Sequence, residues 1–76
     1  MLKKELIRDH YVSYESEEKN ILYGVRHLKE TLSQEEAKVF FDQARQKKSA
    51  QFEDKNRYQF TLIYQQEGNY LLLSRK

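Results

Sequence analysis

The sequence predicts a small α+β domain in ββαββ order, with one helix packed on a four-stranded, mostly antiparallel sheet. Three observations lead there. Residues 33–48 carry a capped, amphipathic helical pattern. Residues 58–74 hold two apolar runs separated by a glycine turn. Residues 9–28 are rich in β-branched and aromatic side chains.

The helix is the most sharply marked element. Ser33-Gln34-Glu35-Glu36 has the capping-box pattern, in which the serine oxygen accepts the N3 amide proton and Glu36 reaches back to the cap amide. Leu32 and Ala37 are spaced for a hydrophobic staple across that cap. Glu35 and Glu36 in the first turn and Arg45, Lys47 and Lys48 in the last complement the helix dipole. Ala37, Phe40, Phe41 and Ala44 repeat at i, i+3, i+4, i+7 and form one apolar stripe.

The C-terminal hairpin follows from Tyr58-Gln59-Phe60-Thr61-Leu62-Ile63-Tyr64, a turn at Glu67-Gly68-Asn69, and a second strand through Ser74. A two-residue loop, either Glu67-Gly68 or Gly68-Asn69, puts Tyr58, Phe60, Leu62, Tyr64, Leu71 and Leu73 on the face toward the helix. Gln59, Thr61, Ile63, Gln65, Tyr70, Leu72 and Ser74 then share the far face. A three-residue loop inverts that relation, because a one-residue slip turns every side chain over. The even loop segregates apolar from polar better and is the expectation here.

The first third is ambiguous. Ile21, Val25, Leu28 and Leu32 match a helical stripe, while Ile21, Tyr23, Val25 and His27 alternate as in a strand. Gly24 costs a helix interior about 1 kcal/mol relative to alanine, and the capped start at Ser33 leaves almost no turn between two helices. The expectation is therefore a strand over about 9–15, a polar turn at 16–20 and a strand over about 21–28, with residues 2–8 as a short helical lead-in.

The 76-residue length fits one domain over 1–76, whose small core leaves it marginally stable alone. The chain has no cysteine, which excludes disulfides and thiolate metal sites and fits a reducing compartment. Charged residues reach 34%, yet 14 basic and 12 acidic side chains nearly cancel, and Leu, Ile, Val and Phe make up 19 of the 76 residues. That balance favours an ordered chain over a disordered one. The first eight residues are interrupted by charge, and the longest uninterrupted apolar stretch is Tyr70–Leu73. A soluble, cytoplasmic protein with no membrane partner is expected.

Little in the sequence supports catalysis. The only glycines, Gly24 and Gly68, are too far apart for a phosphate-binding loop. His10 and His27 lack the helical pairing of a metal site and nearby acidic neighbours of the right spacing. The adjacent carboxylates Glu17-Glu18, Glu35-Glu36 and Glu53-Asp54 point apart in any regular element, which suits capping and solubility better than paired acid and base. Asp54-Lys55-Asn56-Arg57 lacks the glycine and terminal glutamate of a calcium loop and reads as a polar connection. A non-enzymatic protein with no cofactor and no metal is expected.

One helix covers one face of a sheet. The far face then presents Ile63, Tyr70 and Leu72, with Tyr23 as an extension, unless Leu2, Leu6 and Ile7 fold over it. These four residues are the candidate contact with another protein or a second copy in a homodimer. The alternative is weak nucleic-acid binding. In it Arg45, Lys47 and Lys48 at the helix end meet Lys55 and Arg57, and the hairpin tyrosines offer stacking surfaces. The bland reading of those lysines is their favourable place at a helix C-terminus. The helix followed by Ser49-Ala50-Gln51-Phe52-Glu53-Asp54 and a tyrosine-rich hairpin resembles, in general form, short proteins carried by phages and other mobile elements. That resemblance, which rests on no specific motif, implies a protein that occludes or tunes another.

Overall fold

The computed structural model describes residues 1–75; Lys76 lies outside them. Strands β1 (Leu2–Ile7) and β2 (His10–Glu15) come first. Helix α1 (Ile21–Arg26) follows and runs into a π-helical turn over His27–Thr31, and α2 is Gln34–Lys47. Strands β3 (Ser49–Glu53), β4 (Gln59–Tyr64) and β5 (Asn69–Arg75) complete the chain. The strands form one sheet in the order β1-β2-β5-β4-β3, antiparallel except for the parallel pair β2 and β5. The α+β class stands. The described residues hold five strands and two helices instead of four and one.

Helix α2 forms as its residues dictate. The Glu36 amide donates to Ser33 Oγ at 3.1 Å, and the Ser33 amide donates to Glu36 Oε1 at 2.9 Å. Ala37, Phe41 and Ala44 are buried, with Leu32 and Phe40 packed at the margin of the core. Lys48 ends the helix in the left-handed region, φ 77°, and turns the chain straight into β3.

Residues 21–28 correct the expected strand. Their helical stripe wins, with Ile21, Val25 and Leu28 all buried. Gly24, which argued for a strand, is what lets the helix approach: a Cβ there would lie 2.7 Å from a ring carbon of Phe60 on β4. The propensity cost of glycine is outweighed by this contact with the sheet.

Residues 2–8 correct the expected helical lead-in. They form an edge strand joined to β2 by the two-residue turn Arg8-Asp9, with Ile7 opposite His10 and both turn residues at positive φ, 50° and 69°. Two positive-φ residues match the right-handed twist of a hairpin. The left-handed conformation costs a non-glycine residue roughly 1–2 kcal/mol, and Arg8 has contacts that hold it. Its Nε donates to the Leu28 carbonyl at 3.2 Å, Nη1 to Gln34 Oε1 at 3.0 Å, and Nη2 to the Leu32 carbonyl. One guanidinium thus satisfies carbonyls at the end of the first helical segment, which have no partner within the helix.

The hairpin parity is also corrected. The Gln65 amide donates to the Asn69 carbonyl at 2.9 Å, so the loop has three residues, Gln66-Glu67-Gly68, the last two at φ 54° and 80°. Leu62 then pairs with Leu72 and Tyr64 with Tyr70 on the helix face. Tyr70 and Leu72 are 2% and 0% exposed, so two of the four candidate contact residues are core. Tyr70 belongs there because its ring meets Phe41 edge-on at 5.0 Å and its hydroxyl reaches the Phe41 carbonyl at 3.4 Å.

Gly24→Ala tests the helix–sheet approach. The added methyl overpacks Phe60 and should lower stability by about 1–3 kcal/mol, although alanine is the better helix former. Urea denaturation measures it, and a rise in midpoint would contradict the contact.

Candidate interaction face of the sheet

Alternation along the strands sorts side chains onto two faces. Ile7, Val12, Tyr14, Ala50, Phe52, Phe60, Leu62, Tyr70 and Leu72 enter one core with both helices. Their neighbours in sequence line the opposite face, which neither helix covers; Gln65 and Gln66 at the β4–β5 loop line a cleft there with Lys4, Ser13 and Asn69. At its centre Leu71 lies opposite Ile63 on one side and Ser13 on the other, and Leu73 lies opposite Thr61. None of these five can ionise. Toward the β1 edge, Leu6 lies opposite Tyr11. Leu6 is 53% exposed, Tyr11 52% and Leu73 36%, so this apolar surface is in water.

The charged side chains on the face flank that centre on two sides: Lys4 on β1, and toward one end of the sheet Glu15 on β2, Glu53 on β3 and Arg75 at the end of β5. They sum to zero. Lys4 Nζ lies 5.2 Å from the centre of the Tyr11 ring, within cation–π range.

Of the predicted contact residues, Ile63 alone lies on the open face. Tyr23 is exposed, but on α1, where its ring leans on Tyr58 at 5.2 Å. Leu6, Tyr11, Leu71 and Leu73 were missed. No sequence signal separates the two parities that decide Leu71 and Leu73, because Glu67-Gly68 suits a three-residue loop as well as a two-residue one.

The proposed nucleic-acid set is divided. Arg45, Lys47 and Lys48 sit where α2 enters β3, and Lys55 and Arg57 in the turn that leaves it. A five-residue strand, roughly 17 Å long, separates the two groups. In that turn Asp54 Oδ1 accepts from the amides of Asn56 at 3.0 Å and Tyr58 at 2.9 Å, which makes it the structured polar connection expected. Arg57 instead joins Lys19 and Arg75 around a cleft of about 670 Å³ at the end of the sheet. Glu18 shares the cleft and its carboxylate accepts from the Ser74 amide.

The two histidines lie apart from the open face. His10 stacks on Phe41 at 4.1 Å, and His27, the first residue of the π-helical turn, stacks on Phe52 at 5.6 Å. Burial pushes both below the usual histidine range, against the opposing pull of Asp42 and Asp9 on His10 and of Asp54 and Glu36 on His27. His27 Nδ1 is buried without a hydrogen-bond partner. No three His, Asp or Glu side chains among the described residues come together as a metal site would need, and no described helix is long and apolar enough to cross a membrane.

The fold and face together define a small two-layer α+β domain with an uncharged apolar centre on its open sheet face. Comparisons with family models, curated proteins and solved structures returned no match to this chain.

The depressed histidines set a pH dependence. The unfolded chain takes up protons near pH 6.5, before the folded one does. The stability that neutral His10 and His27 provide is therefore complete above about pH 6.5 and is lost as pH falls through their lower folded values. Between pH 7.5 and 5, above the carboxylate range, the urea midpoint should fall. His27→Phe, which keeps the stacked ring and removes the titrating group, should flatten that fall. A midpoint that does not move over this interval would contradict the burial of both rings.

Proposed function

We propose that this chain is a non-enzymatic protein-interaction domain that docks protein through its open sheet face. The observation that carries the reading is the centre formed by Ile63, Leu71 and Leu73, with Leu6 and Tyr11 as a second exposed apolar pair beyond Ser13 and Asn69. Contiguous apolar surface in water is a hallmark of contact sites. An uncharged centre flanked by charged side chains is the usual anatomy of a protein interface. The face carries no net charge, so it offers phosphate backbones none of the attraction that nucleic-acid binding depends on. The lack of cysteine suits work in a reducing compartment such as the cytoplasm.

A photo-reactive amino acid in place of Leu73 tests this. Irradiated in cells, it should yield discrete covalent adducts with protein. The same group in place of Val39, an equally apolar and more exposed position on α2, should yield none. Equal labelling at both positions, or none at either, would remove the reading.

A further inference from the structure

The open face can be assigned an occupant. We propose that it is the seam of a homodimer, in which two copies of this chain stack their sheets face to face about a two-fold axis, with Ile63, Leu71 and Leu73 at the centre. This rests on the docking reading above and adds the identity of the partner.

The first support is size. The molecule measures 26 × 25 × 20 Å, so the open face projects at most roughly 650 Å², below the ~800 Å² per partner that stable complexes bury. A partner must use nearly all of this face. A convex partner or a single helix would leave much of it wet, whereas another broad sheet covers it. Sheets stack in this way about 10 Å apart, with strands within about 30° of each other, and a second copy supplies a surface of the same breadth.

The second support is charge. Lys4 and Arg75 carry one sign and Glu15 and Glu53 the other, so two copies meet without net repulsion. A two-fold axis generates every contact twice, as an isologous interface requires.

The third support is need. A 76-residue chain buries only about 60% of its unfolded surface. It has no cysteine to cross-link it, and the described residues gather no metal-binding cluster. Association is one of the means by which small domains gain stability. The N-terminal residues do not cover the face, because β1 extends the sheet edge instead of crossing it.

Light scattering and sedimentation equilibrium on the full chain test the seam. The expected particle has twice the 9.3 kDa chain mass. Leu71→Lys should weaken it about 30-fold or more, the size of effect found for central interface residues, and Leu73→Lys should act in the same direction. Both side chains already touch water, so circular dichroism and the cooperativity of unfolding should be retained. Val39→Lys on the far side should leave the dimer unchanged. In the purified protein, the photo-reactive group at position 73 should give an adduct of twice the chain mass. A monomer at all concentrations, or a dimer that Leu71→Lys leaves intact, overturns the proposal. If that monomer still forms adducts with other proteins in cells, the docking reading survives without the second copy. If no adduct forms anywhere, both fall.

Discussion

Inside and outside in this sheet are decided by the odd length of the β4–β5 loop. Gln65 and Asn69 close the hairpin over three residues, so Leu62 lies opposite Leu72 and the β5 alternation starts inward at Tyr70. One residue fewer would exchange Tyr70 and Leu72 for Leu71 and Leu73. The choice spreads beyond the hairpin. β5 also pairs with β2, where Val12 and Tyr14 stand beside Tyr70 and Leu72, and β2 places Ile7 of β1 inside in turn. Four strands thus share one parity. Tyr70 selects it: its ring has aromatic partners in His10, Phe41 and Tyr64, and its hydroxyl has a carbonyl within reach. A leucine in that place could use none of these.

Two contacts then commit both helices to the same side. Gly24 lets α1 sit close over Phe60. Arg8 ties the β1–β2 turn to the carbonyls of Leu28 and Leu32 and to Gln34 at the start of α2. The strained turn and the helix ends support each other: the left-handed Arg8 backbone aims the guanidinium, and its hydrogen bonds hold that backbone in place. With both helices drawn to one layer, neither is left to cover the other. The open face is thus a consequence of how well the first face is closed.

The parts of the fold legible in the sequence are those written locally. The capping box at Ser33 and the stripe through Ala37, Phe41 and Ala44 need only neighbours within one or two turns, and both hold. Elements defined by distant partners were hidden. Gly24 reads as a helix breaker until Phe60, far along the chain, is placed against it. Lys3, Lys4 and Glu5 obscure the alternation of β1, yet charges of this kind suit an exposed sheet edge. β3 is five residues long with only Ala50 and Phe52 buried, too short a pattern to stand out. The existence of an open apolar face followed from counting layers. Its membership did not, because parity rests on one residue of loop length, and only Ile63 of the expected four lies there.

The chemistry of that face also constrains how anything can associate with it. Its rim mixes both signs, so long-range steering is weak, and encounter belongs to the unsteered regime of about 10⁵–10⁶ M⁻¹s⁻¹. Discrimination must then reside in the complex once formed, in how long it lasts. Lifetime depends on how completely Ile63, Leu71 and Leu73 are dried, since isolated apolar contacts on a wet surface hold little. On a face this small, complete drying demands a partner that reaches the rim on every side. The same breadth that leaves the layer open therefore excludes narrow partners, and shape does the selecting that charge does not.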